Sequence, residues 1–238
     1  MSKEIDIPFE NIPERASTEG YVDKLISFLE LHLPDFTDIY AVNFSTNEND
    51  ITELLYKHLT KRKRFNSEDV DYPFDFQPEK SQKKKNAKGH AKRVDMAANL
   101  LVADRDLQVI FTLEAKKLPT DKVNGAREKE YVQHTNSSGK PAGGIERYKE
   151  ELHGIDDGGQ VLTRNGIIAY TAEKAHQEWL EKVNVWIDEC SWGTSESLSN
   201  KYYSNVSKFS STHLTNTGKN ISLDHFWIEI TPPIAATE

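Results

Sequence analysis

The sequence predicts an α/β or α+β sandwich, a sheet with helices packed against it. Three observations carry this. Helical and strand-like periodicities follow one another in the order helix, strands, helix, strand, helix, strand. The chain of 238 residues suits one domain of ordinary size with a buried core and an N-terminal appendage. Ten Phe, nine Tyr and four Trp supply large apolar side chains, although 29% of the residues are charged.

The elements follow in order. Over residues 17–34, Val22, Leu25, Ile26, Leu29 and Leu33 recur at helical steps, with Ser17 or Thr18 to cap the start and Pro34 to stop the helix. Over 49–64, Ile51, Leu54, Leu55, His58 and Leu59 form the apolar face of a second helix. An extended stretch broken by Pro73 and Pro78 comes next, then a basic loop. Residues 93–118 predict a β-hairpin, two arms rich in Val, Ile, Leu and Phe around the polar turn "ADRD". Residues 120–142 predict a long polar loop with a short helix in "AREKEYVQH". A helix over 143–154, a strand in "RNGIIAYT" and a helix over 172–190 come after it. Residues 191–221, rich in Ser, Thr and Asn, predict loop, and "LDHFWIEI" a last strand.

Charge is unevenly spread. Residues 1–60 hold twelve acidic and four basic side chains, while the rest balance at 26 of each. Residues 1–47 are therefore expected to form an acidic helical segment packed on the core. The runs 61–64 and 80–93 hold eleven Lys and Arg. Lys83, Lys84, Lys85, Lys88, Lys92 and Arg93 can grip phosphates despite the net charge of −8, because a local field decides binding; a solvated loop is the alternative. The single cysteine, Cys190, excludes an intramolecular disulfide and fits a reducing, cytoplasmic setting. No apolar run is long enough to span a bilayer, so no membrane partner is expected. The histidines show no ligand spacing with Cys190 that would indicate a zinc site. "KYYSNVSKF" interleaves aromatic and basic residues, suited to stacking bases or to packing on the core.

"FTLEAKKLP" (111–119) holds the chemistry. Alternation in this strand puts Glu114 and Lys116 on one face, about 7 Å apart. A two-residue turn at Asp104 and Arg105 sets Asp95 opposite Glu114, and a four-residue loop sets it opposite Lys116. A three-residue loop without a bulge sends it to the other face. Two opposed carboxylates repel unless a cation binds both, and hard oxygen ligands favour Mg2+ or Mn2+. A neighbouring lysine can then orient a water or stabilise charge on a phosphate. A cross-strand surface salt bridge accounts for the same residues without catalysis. Glu53 could add a third carboxylate, or form a capping box with Asp50.

These residues, Asp95 in "RVDMAANL" and Glu114, Ala115 and Lys116 in "VIFTLEAKKL", resemble the PD-(D/E)xK nuclease superfamily, with Glu53 in the acidic position of its first core helix. The likeness covers about residues 48–172. It implies a restriction-endonuclease-like αβββαβ core, a mixed central sheet flanked by helices, within a nuclease domain of residues 48–238. It further implies metal-dependent hydrolysis of DNA phosphodiester bonds, as in restriction or anti-phage defence. Asp95, Glu114, Glu53 and the carbonyl of Ala115 would bind Mg2+ or Mn2+, and Lys116 would position the water. Val94 stands where proline is common, and Arg147 and Tyr148 stand where a glutamine is expected. Arg147 could contact a phosphate or face solvent, and Tyr148 packs. A homodimer or partner subunit is compatible with the sequence. The alternative is a non-catalytic module of the same fold that binds nucleic acid or a partner.

Overall fold

A computed structural model describes residues 18–40, 42–65, 72–82, 92–101, 108–120, 127–192, 194–202 and 206–230. The elements are α1 (Glu19–His32), α2 (Pro34–Ile39), α3 (Glu48–Phe65), β1 (Phe74–Gln82), β2 (Lys92–Leu100), β3 (Gln108–Leu118), α4 (Gly144–Lys149), β4 (Arg164–Thr171), α5 (His176–Glu189), β5 (Ser199–Tyr202), β6 (Val206–Leu214) and β7 (Asn220–Glu229). The strands form one mixed sheet in the order β1-β2-β3-β4-β7-β6-β5. β1, β2 and β3 run antiparallel, β3, β4 and β7 parallel, and β7, β6 and β5 antiparallel.

The parallel centre is covered on both faces, which explains why β4 is buried from Asn165 to Thr171. On one face the apolar stripes of α1, α2 and α3, including Leu25, Leu29, Phe36, Leu55 and Leu59, pack on Phe111, Leu113, Ala115, Ile168 and Tyr170. On the other, Trp179, Val183, Trp186 and Ile187 of α5 join Ile145 and Tyr148 of α4 against Leu118, Ile167, Ala169 and Trp227. Each fully buried leucine contributes about 2 kcal/mol by its removal from water. α1 and α2 belong to the same cluster as α3, so the described part of the N-terminal segment packs on the core. The protein is thus α/β, with a mixed sheet flanked by helices.

Pro34 ends α1 as expected and also starts α2, because its fixed φ suits the first turn of a helix. Four expectations need correction. Pro78 does not break the extended stretch: it lies inside β1, on the sheet edge, opposite Met96 of β2. The helix expected in "AREKEYVQH" is absent from residues 127–134, which form turns closed by Glu130 N–H on Arg127 O and Gln133 N–H on Lys129 O. α4 ends at Lys149 rather than continuing to 154, and Glu151 (φ 51°) and Gly154 (φ 73°) turn the chain away. Nearly half of the loop expected over 191–221 is strand: β5, β6 and the start of β7 fall there. β6 buries Ser207, Ser211 and His213, whose polarity hides the period-2 pattern from a reading based on hydropathy.

Candidate active site

The site begins with a register. Near the turn Asn99 faces Val109; beyond a bulge between Ala98 and Asn99, Met96 faces Leu113. Without that bulge Asp95 would stand opposite Leu113, on the face away from Glu114. The bulge therefore brings Asp95 to Glu114 and Lys116.

Met96 and Leu113 are also the last pair. Beyond them β2 stays with β1, as Val94 pairs with Lys80, while β3 stays with β4 through Glu114–Ile167 and Lys116–Ala169. The sheet splits, and the amides of Ala115 and Lys117 lose their strand partner. Two carboxylates replace it. Asp95 Oδ2 accepts from Ala115 N–H at 2.7 Å, and Glu48 Oε2 accepts from Lys117 N–H at 2.8 Å. Strand geometry sends the carbonyl of Ala115 out along the same edge as its N–H.

Beside the split lies a buried charge cluster. Glu114 is 1% exposed. Its Oε1 accepts from Arg147 Nη1 and lies 3.1 Å from Lys116 Nζ. Its Oε2 lies 3.1 Å from His153 Nδ1, out of hydrogen-bond alignment, so both buried atoms lack a hydrogen-bond partner among the described residues. Lys116 Nζ also lies 3.3 Å from Glu48 Oε1. Burial alone would raise the pKa of Glu114, but Lys116, His153 and Arg147 outweigh it and hold the carboxylate ionised. Burial alone would lower that of Lys116, but Glu114, Glu48 and Asp95 outweigh it and keep the ammonium protonated. Asp95 goes the other way: burial, then the charge of Glu114, push it up to about 7 against Lys116 and the Ala115 amide.

Glu48, missed in the sequence, is the α3 acid that reaches this cluster. α3 starts before Asp50 and is capped by Asn47, whose Oδ1 accepts from Asn49 N–H at 2.8 Å. Asp50 and Glu53 therefore both lie inside the helix, and Asp50 does not occupy the cap position that their capping box requires. An acid at the helix start was the available signal. Glu53 sits on the exposed face, 2.5 Å from Lys57, but lines a cavity of about 430 Å3 with Asn49, Thr52, Tyr56, Glu79 and Asp95. Arg147 is part-exposed, and its guanidinium pairs with Glu114. Tyr148 packs as expected, its hydroxyl donating to Gly166 O at 3.0 Å. Lys92 is half-buried, and exposed Arg93 pairs with Glu79 at 2.9 Å. Lys83, Lys84, Lys85 and Lys88, and the side chain of Tyr202, lie outside the described residues.

Among the described residues, no three His, Cys, Asp or Glu side chains are gathered closely enough to hold a metal ion. The oxygen set still fits a divalent cation in kind. Glu114 Oε2 is a buried acceptor with no aligned hydrogen-bond donor among the described residues, Asp95 is a carboxylate strained by a like charge, and the Ala115 carbonyl opens on the same edge. No described helix is long and apolar enough to cross a membrane. Compared with protein-family models, curated proteins and solved structures, the chain matches none.

Proposed function

We propose that the protein is a divalent-cation-dependent nuclease that hydrolyses phosphodiester bonds in DNA, with Asp95, Glu114 and Lys116 as its catalytic residues. One observation carries the reading: at the split between β2 and β3, Asp95 meets the backbone link between a buried Glu114 and a buried, protonated Lys116. The order α3-β1-β2-β3-α4-β4 supports it, being the αβββαβ order of restriction-endonuclease-like cores.

Asp95, Glu114 and the Ala115 carbonyl would hold Mg2+ or Mn2+, which supplies neutralisation and polarisation of the scissile phosphate. The remaining work falls to the chain. Lys116 is too well compensated to act as a base, so it donates hydrogen bonds to the attacking water or to the phosphoryl oxygen where charge builds. Glu48 fixes the Lys116 ammonium from the far side and ties the next amide of β3, so the lysine is oriented before substrate arrives. Arg147 balances Glu114 and keeps its carboxylate ionised.

The same Arg147 contact favours a second reading, a module that binds nucleic acid without cutting it, because it already neutralises the acid that a cation would need. Incubating plasmid DNA with the protein in Mg2+ and in Mn2+ decides between them. Cleavage by wild type that is lost in Glu114→Ala and Lys116→Ala supports the nuclease. DNA retained but uncut in both metals supports the binding module.

A further inference from the structure

On the same α4 and α5 side of the sheet, sharing no contact with Glu114 among those described, a second set of buried polar groups forms an unbroken chain. Trp227 Nε1 donates to Tyr131 Oη at 2.9 Å, and Tyr131 Oη lies 2.6 Å from His225 Nδ1. Ser211 Oγ lies 2.7 Å from both His225 Nε2 and His213 Nε2. His213 Nδ1 lies 2.7 Å from Glu196 Oε2, which also accepts from Lys149 Nζ at 2.5 Å. Tyr131, Trp227, His213 and His225 are fully buried.

Counting protons fixes the direction of every bond. Glu196, paired with Lys149, can only accept, so His213 carries its proton on Nδ1 and accepts at Nε2. Ser211 must then donate to His213 and accept from His225 Nε2–H. His225 accepts at Nδ1 from the Tyr131 hydroxyl, whose oxygen accepts from Trp227. With both imidazoles neutral, each link has one proton and no group is left over. A proton added to His213 points at Ser211, which already accepts from His225, and strands the serine proton. A proton added to His225 points at Tyr131 and strands the phenolic proton.

The two ends of this chain hold the two ends of α4. At the N-terminus, Tyr131 O accepts from Ile145 N–H and its neighbour Glu130 O from Gly144 N–H. The approach is close: a Cβ on Gly144 would lie 2.7 Å from Tyr131 O, and one on Gly143 2.4 Å from Gln133 Cα. At the C-terminus, Lys149 reaches Glu196 and Leu214 O. Between them Arg147 is delivered to Glu114.

We propose that this chain is a proton-locked clamp on α4: with both histidines neutral it fixes the helix and holds Arg147 on Glu114, and a proton on either histidine frees the helix. The groups facing the histidines agree. Burial, and the nearby Lys149, lower the pKa of His213 against Glu196; burial and His213 lower that of His225. Trp192 adds only a ring edge over His213, 6.2 Å away. The clamp concerns the helix and its arginine, so it holds whether or not the site cuts DNA.

Hydrogen exchange of the full chain, corrected for intrinsic rate and followed from about pH 8 to about pH 4.5, tests it. Protection of residues 144–150 should hold above neutrality. It should fall about tenfold or more as His213 or His225 takes up a proton, read from imidazole NMR signals, while residues 180–187 of α5 change less than about twofold. Ser211→Ala, which cuts the chain at its middle, should lower α4 protection about tenfold already near pH 7.5. If that variant does not fold, the wild-type titration decides alone. Protection of α4 that stays level while either imidazole takes up its proton overturns the proposal; where neither does by the lowest pH, Ser211→Ala decides. So does protection that falls with neither imidazole protonated, that falls only together with α5, or that is unaltered in a folded Ser211→Ala.

Discussion

The charge cluster around Glu114 and the chain from Trp227 to Glu196 meet at α4, which contributes Arg147 to one and Lys149 to the other. Both are buried and polar, yet they are built differently. The chain from Trp227 is complete: each donor has one acceptor, and one ion pair at its end sets the direction. The Glu114 cluster is crowded with charge and still leaves Glu114 Oε2 and His153 Nδ1, 3.1 Å apart, without an aligned hydrogen bond among the described residues. A closed network rigidifies a core; an open one, at a split in a sheet, is poised to accept something further. That contrast is the physical reason to place chemistry at Glu114 and positioning at His213.

The largest effect should come from Glu114→Ala. It leaves buried Lys116 and part-exposed Arg147 with an excess of positive charge, at a cost of about 3 kcal/mol in denaturant unfolding. DNA cleavage should fall by roughly 10³-fold or more. Glu114→Leu with Lys116→Met should unfold less readily than Glu114→Ala alone, because the unpaired ammonium goes too. If Glu114→Ala proves as stable as wild type, the cluster is not the strained partner in the comparison.

Tyr131→Phe probes the closed network. It keeps the ring but leaves Trp227 Nε1 and His225 Nδ1 unpaired in the core, at a cost of about 2 kcal/mol. A change below about 0.5 kcal/mol would mean that water enters and replaces the hydroxyl, and the chain would not be closed.

Asp95→Asn should act in the opposite sense. In the fold Asp95 keeps its proton up to about 7, whereas its ordinary value is 3.8. The folded chain therefore binds more protons across that interval, and stability falls as pH rises through it, levelling off above about 7. Asparagine can still accept from Ala115 N–H without the charge. At pH 8 it should stabilise the fold by about 1–2 kcal/mol, discounted for the part-exposed site, with no gain near pH 4. Millimolar Mg2+ should raise the Tm of wild type and leave that of Asp95→Asn unmoved. Equal shifts in both would detach the cation from this carboxylate.

How far these features were legible in the sequence follows from their physics. Alternation in β3 gave the shared face of Glu114 and Lys116, and the two-residue-turn register put Asp95 opposite Glu114. The structure reaches that alignment by a bulge at Ala98 and Asn99, which no hydropathy pattern announces. Glu48 was hidden because capping signals cannot say which of several acids at a helix start turns inward. The chain from Tyr131 to Glu196 was hidden more deeply. Its members are scattered from 131 to 227 and include Ser211 and His213, which look like surface residues until β6 is seen between β7 and β5.

The smallest stability effect separates the two acids of α3. Glu53 is 62% exposed in its side chain and, among the described residues, pairs with Lys57, four residues on, so Glu53→Gln should change stability by less than about 0.5 kcal/mol. Glu48→Gln keeps an oxygen for Lys117 N–H but takes the counter-charge from Lys116, and should cost about 1–2 kcal/mol. Cleavage sharpens the difference. Loss in Glu48→Gln with activity kept in Glu53→Gln means that the helix serves the site by orienting Lys116. Loss in Glu53→Gln, which touches nothing in the cluster and whose side chain lines the cavity next to Asp95, means that this cavity takes part in holding the cation or the DNA.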